Sequence, residues 1–373
     1  MMINKYLTRH KVLVNSALPQ RSHTYSSLEE HIEFINRDIL PGICPASSLP
    51  IRMMTVESKS AIVETVDIDN RTYLIYDRHY GTLLEELNYI LFVDLPESCV
   101  FNFLLRIFLD LIGAEAGVAN SILYRYRTLL EPAQVLDYSG IPIEINEKIR
   151  ATTEIQEFFV ALHEINNFVQ RHQPFPDREL GVFMSDLRQG YEKAKNASAF
   201  VDRFDLALDS SNAYERLLES HAVACELAAD VLTGDQVYVL LMQIYDMEFI
   251  GESMLLGFHN QAVISELREL AEAILTGSHR SWDCVEYAEL RNILASNRLM
   301  GRLSQEKTGV DRMKAFIYEH TTNFEKIRRI FKGYFRNEFR TALNEALEHA
   351  HMQGPPKIIR PNVPQSSKWT RNK

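Results

Sequence analysis

Strand-forming sequence is confined to one short window of this chain, and that confinement constrains the fold more than any other feature. The runs IRMMTVES (51–58), SAIVETVDI (60–68) and RTYLIYDR (71–78) are rich in β-branched and aromatic residues. Asp69-Asn70 separates the last two and predicts a hairpin turn. Three strands so close in sequence predict a small antiparallel sheet. From about residue 79 onward the periodicity is helical. HYGTLLEELNYILFV, CVFNFLLRIFLDLI and the region around SILYRYRTLL are each amphipathic. Ahead of the strands, SSLEEHIEFINRDIL (26–40) opens on serines followed by acids and reads as a capped helix, and PGICPASSLP (41–50) reads as a turn or linker. The expected class is α+β, predominantly α-helical, with one small antiparallel sheet and additional C-terminal helices.

Bulk properties remove several function classes. The 373 residues suffice for two or three structural units. Net charge is −10 and the pI is near 5.7. No broad basic surface follows from that balance, so nucleic acid is not an expected partner. Cys44, Cys99, Cys225 and Cys284 form no CxxC pair, which argues against a cysteine zinc site and fits a reducing compartment. The N-terminal stretch lacks the apolar core of a signal peptide. VFNFLLRIFLDLIGA is interrupted by Arg106 and Asp110 and falls short of a membrane span. The expectation is a cytoplasmic protein with no membrane partner.

A break at YSGIPIEI, marked by Gly140 and Pro142, precedes a helix expected over about 153–172 and stopped by Pro174. A polar stretch, PFPDRELGVFMSDLRQGYEKAKNASAF, joins it to a second helix over about 211–232, with Gly234 as its expected C-cap. DQVYVLLMQIYDMEFIGESMLLG, QAVISELRELAEAIL and VEYAELRNILA continue as helices, and residues 310–352 predict one long or two abutting helices. In RRIFKGYFRNEFR (328–340), Phe331, Tyr334, Phe335 and Phe339 recur at three-to-four spacing, as a core face does, with the basic residues left to solvent. The Pro-rich basic tail, 354–373, is expected to be disordered.

Residues 158–172 read FFVALHEINNFVQRH. On a helix, Ile155, Phe158, Phe159, Leu162, Ile165 and Val169 make an apolar stripe, and positions 163 and 167 share a face. Two imidazoles at that spacing reach one metal ion, and a glutamate after the first can deprotonate a metal-bound water. His163 and Glu164 supply the first half of the pattern; Asn167 stands where the second histidine belongs. Residues 219–232 read ESHAVACELAADVL. Glu226 and Asp230 are again four apart, on a helix whose other residues are small and apolar. Buried acids are costly unless paired or liganded. A plainer account stands beside this one. His163-Glu164 can be a helix-face pair at a core edge, Glu226 and Asp230 a solvated face, Asn166 and Asn167 surface amides, and Cys225 a small buried apolar residue.

HEINN followed by ELAAD resembles the zincin metallopeptidases with a glutamate third ligand, the gluzincins. In texture it is most similar to bacterial phage-exclusion-type peptidases, and the three preceding strands suit the small sheet of a minimal zincin core. The resemblance covers roughly residues 50–240. It implies His163 as first metal ligand, Glu164 as general base, Glu226 as third ligand and Asp230 as the acid orienting the imidazole of His163, around a zinc ion. Asn167 departs from it, because a neutral amide oxygen is a poor zinc ligand. His172, nine residues past His163, points to the opposite side of the helix; His221 lies roughly 140° from Glu226; His259 sits on an expected loop. The expected organisation is an N-terminal helical segment (1–48), a zincin-like core (49–240), a C-terminal helical region (241–353) and the tail. Two functions follow: a zinc metallopeptidase or its degenerate descendant, acting on a protein or peptide, and a non-catalytic protein that keeps the scaffold to bind a protein partner.

Overall fold

The computed structural model describes residues 29–30, 32–42, 50–56, 63–112, 140–172, 174, 176–196 and 211–276, with single positions at 290, 291, 294, 315, 326 and 327. A short helical segment over 32–42 places Ile32, Ile35 and Leu40 in the core, and three strands follow it: β1 (Arg52–Val56), β2 (Val63–Ile68) and β3 (Arg71–Asp77). Asp69 and Asn70 adopt φ of 51° and 59°, the left-handed pair that a two-residue hairpin of matching twist requires. The turn fixes the register, with Ile68 opposite Arg71 and Asp67 opposite Thr72, whose hydroxyl donates to the Asp67 carboxylate at 2.7 Å.

The sheet order is β1-β3-β2, and it is mixed rather than wholly antiparallel: β1 lies parallel to β3, Arg52 opposite Tyr73. The hairpin dictates only the β2–β3 pairing. The direction of β1 along the other edge of β3 is a matter of tertiary packing, which strand composition does not encode. Central β3 is buried on both faces. Leu74 and Tyr76 join the main core, while Ile75 packs with Val56 and Ile68 on the other side.

β3 runs directly into α1 (Arg78–Phe92), whose N-cap Asp77 accepts from the His79 amide at 3.0 Å. Then follow α2 (Glu97–Ile112), α3 (Ile143–His172), α4 (Asp177–Asn196), α5 (Ser211–Glu219), α6 (His221–Leu241) and α7 (Met247–Thr276). The chain is thus a predominantly helical α+β protein over its described residues. Four expectations about the helices are corrected. The motif helix α3 begins ten residues earlier than expected. The expected 211–232 helix is two helices, broken at Ser220, whose side chain accepts from the Val223 amide and caps α6. Gly234 lies inside α6 rather than ending it, and the polar join forms α4. Open space surrounds the Gly234 Cβ position, and it is the buried residues flanking it on α6, Thr233 and Val237 among them, that hold this stretch helical against glycine's weak propensity. SILYRYRTLL, the tail and nearly all of 310–352 lie outside the described residues.

At 30 residues, α3 is about 45 Å long and runs through the middle of the molecule. Each of its faces meets a different neighbour. Toward the sheet, Glu157 receives a hydrogen bond from the Tyr76 hydroxyl, and Arg171 reaches the Thr65 carbonyl of β2. Toward α1 and α7, Gln156 joins a buried amide cluster. Its amide donates to Asn88 Oδ1 (3.1 Å) and the Ser253 carbonyl (3.1 Å), and Asn260 donates to Asn88 Oδ1 (2.8 Å). The third face, toward α6, carries His163, Asn166 and Asn167.

Candidate functional site

The α3–α6 interface brings together the residues that the sequence pattern singles out. Nε2 of His163 lies 3.0 Å from Glu226 Oε2, and its Nδ1 lies 2.8 Å from Asp230 Oδ1. The Asn167 amide nitrogen donates to Glu226 Oε2 at 3.1 Å and lies 3.0 Å from His163 Nε2. One assignment satisfies these distances: a protonated His163 and the Asn167 amide both donate to the same Glu226 oxygen. The second imidazole nitrogen faces Asp230 closely, but its N–H does not point along the contact, so this is an ion pair rather than an aligned hydrogen bond.

Asp230 is anchored from its other side. Arg291 forms a two-pronged contact with it, Nε to Oδ2 and Nη2 to Oδ1, both at 2.6 Å. The guanidinium also donates to Gln261 at 2.6 Å and lies over the Phe258 ring, 4.6 Å from its centroid. The Phe159 ring is stacked at 6.2 Å from the imidazole of His163. Burial separates the two acids. The Asp230 side chain is 5% exposed and that of Glu226 is 45% exposed. The His163–Asp230–Arg291 chain is therefore the strong, dry part of the cluster, and solvent screens the Glu226 end.

Electrostatics follow from this arrangement. Burial alone would lower the pKa of His163, but the charge and contact of Asp230, with the Glu226 contact, outweigh it and raise it to about 10. Burial works to raise Asp230, yet Arg291 and then His163 leave it below its ordinary value. Glu226 is likewise lowered, since its bonds to His163 and Asn167 overcome desolvation. Glu164 behaves oppositely. Burial raises it to about 7, with His163 pulling it partly back and Glu226 and Glu64 adding to the rise. It makes no hydrogen bond to any described residue.

Asn166 is no surface amide. It is buried and donates to Thr233 Oγ1 (2.8 Å) and Gln236 Oε1 (2.9 Å) on α6. Asn167 is half-buried in the cluster itself. Cys225 is half-buried, with its sulfur 3.7 Å from Nδ1 of the exposed His221 at the first position of α6. His259, expected on a loop, lies within α7. The side chain of His172 lies outside the described residues. Arg291 is the member that sequence reasoning missed. It lies outside the stretch covered by the resemblance, and an arginine in a helical pattern carries no sign that it will be buried.

A zinc ion bound at about 2.0–2.1 Å holds its ligand atoms roughly 3.3 Å from one another. The His163, Asn167 and Glu226 atoms have nearly that spacing, but not that chemistry. The three groups are one imidazole, one carboxylate and one amide whose N–H side faces the other two, so the set offers a single imidazole nitrogen where the pattern needs two. This set does not fit a catalytic zinc. Among the described residues, no group of three or more His, Cys, Asp and Glu side chains is placed to hold a metal ion, and no helix is long and apolar enough to cross a membrane. Comparison with protein-family models, curated proteins and solved structures finds no match.

Proposed function

We propose that this chain is a degenerate descendant of a zincin-type metallopeptidase, working as a non-catalytic scaffold that binds a protein partner. One observation carries the reading: the Asn167 amide donates to Glu226 at 3.1 Å, at the point where the two ligands expected from the resemblance and the second-histidine position converge. The residues of HEINN and ELAAD keep the spacing that a ligand set would have, and the Asn167 amide donates to the Glu226 oxygen that a metal would use. In this reading no ion polarises a water for Glu164 to deprotonate. What remains of such a peptidase is its capacity to hold a polypeptide.

A second reading, a hydrolase, is favoured by Glu164. Its pKa is lifted to about 7, the range suited to a general base near neutral pH, and its carboxylate is unbonded among the described residues. Metal analysis of the purified full-length chain, combined with cleavage of an unstructured protein substrate, separates the two. The scaffold reading expects zinc far below stoichiometry, no cleavage and a melting temperature indifferent to chelator. Stoichiometric zinc lost in Glu226→Ala, with cleavage lost in Glu164→Gln, would establish the hydrolase.

A further inference from the structure

Among the described residues, Asp230 is held from two sides, and the second hold comes from a part of the sequence that the zincin resemblance does not reach. Arg291 is 61 residues beyond Asp230 and is buried with it. Its guanidinium is held at each of its three nitrogens and on one face: two bonds to the Asp230 carboxylate, one to Gln261, and the Phe258 ring beneath it. Gln261 and Phe258 both lie on α7. With so many fixed contacts the guanidinium has little freedom to turn, and a two-pronged contact fixes the plane of the carboxylate it grips. That plane decides whether Oδ1 reaches Nδ1 of His163. The Phe159 ring stacked on the imidazole limits the ring from another direction.

We infer that Arg291 is a positioning residue for the α3–α6 cluster: it clamps Asp230 in the orientation that holds the His163 imidazole, so that the cluster is completed by the chain beyond α7 and not by the two motif helices alone. A carboxylate held only by His163 would be free to rotate about its last torsion, and the imidazole would lose its fixed presentation toward Glu226 and Asn167. Groups that orient a ligating histidine from behind typically alter metal affinity by about 10–100-fold when replaced.

The test uses the full-length chain with Arg291→Gln and Arg291→Lys. Lysine keeps the charge and loses the two-pronged geometry, and it serves alone if the glutamine variant does not fold. The first arm follows the side-chain nitrogen resonances of His163 in the otherwise wild-type chain. Clamping by Arg291 expects them to shift and broaden in both variants; resonances unchanged from wild type overturn the inference. The second arm rests on the remnant-site reading above. Asn167→His is titrated with cobalt(II) and its visible absorption is followed, with and without the Arg291 change. The expected result is cobalt affinity weaker by about tenfold or more in the double variant, and equal affinities count against the clamp. If Asn167→His binds no cobalt at all, the remnant-site reading falls, while the clamp is decided by the His163 resonances.

Discussion

The amide nitrogen of Asn167 sits 3.0 Å from Nε2 of His163, one helical turn away, with Glu226 Oε2 accepting from both. An amide in that place does for the carboxylate what a second cation would do less locally: it satisfies one of its lone pairs without adding charge. Replacing Asn167 with alanine removes a hydrogen bond to a charged group at a half-buried position. The expected loss is about 1–2 kcal/mol of unfolding free energy, read as a lower urea midpoint with an unchanged m-value.

The Asp230–Arg291 pair is dry on both sides, so breaking it from one side is far worse than removing it whole. Asp230→Asn leaves a buried guanidinium without its counter-charge and is expected to destabilise by about 3–5 kcal/mol. The double change Asp230→Asn with Arg291→Met is expected to recover a good part of that. A double-mutant cycle by chemical denaturation measures the coupling, and additive losses would show that the pair is not coupled.

Glu164 gives the site a pH signature. Its folded pKa is raised from 4.5 to about 7, so the folded state binds its proton more tightly than the unfolded chain does. Stability from this group is present below about pH 4.5 and is lost as pH rises through 7. His163 has the same sign in a higher window: its contribution is full below 6.5 and fades as pH rises through about 10. Glu164→Gln is expected to raise stability at about pH 8 by roughly 1–2 kcal/mol, discounted for partial exposure, and to change little at about pH 4. Denaturation midpoints of both proteins across that range check the sign.

Gly81 on α1 faces the buried Glu157 carboxylate so closely that a Cβ there would overlap it, and would stand 3.0 Å from the Tyr76 hydroxyl. Tyr76 holds Glu157 in place, so the carboxylate has little room to yield. Gly81→Ala is expected to destabilise by about 1–3 kcal/mol, although alanine is the better helix former. A thermal melt showing stabilisation would mean that the carboxylate moves freely.

Within the core, Gln156 links Asn88 on α1, Asn260 and the Ser253 carbonyl on α7. Gln156→Leu leaves buried amides without partners, and the expected loss is about 2–4 kcal/mol by the cost of unsatisfied buried groups. Amide hydrogen exchange across α1 and α7 measures whether these helices loosen together.

Local patterning carried the secondary structure well. The β-branched runs marked all three strands, Asp69-Asn70 marked the hairpin, and apolar spacing marked α1 and α2, because each of these is decided by neighbours within one turn or one strand pair. Helix α3 was harder to bound. It meets the sheet on one side, α1 and α7 on another and α6 on a third, so polar residues such as Gln156, Glu157 and Asn166 face inward and blur its stripe. The break at Ser220 was legible in principle, since serine is a preferred N-cap, but the flanking helical propensity masked it.

For the site, sequence alone determined which residue types recur at one-turn spacing on α3 and α6: His163 with Asn167, and Glu226 with Asp230. That they converge is a tertiary fact, spanning 63 residues of chain between His163 and Glu226. The tertiary structure alone also decided that Arg291 grips Asp230, that Asn166 is buried, that β1 runs parallel to β3, and that Glu226 keeps one side toward solvent. Periodicity encodes which face of a segment avoids water. What a buried charge finds on the other side is settled only when distant segments pack, because the partner's identity leaves no trace in the charge's own neighbourhood.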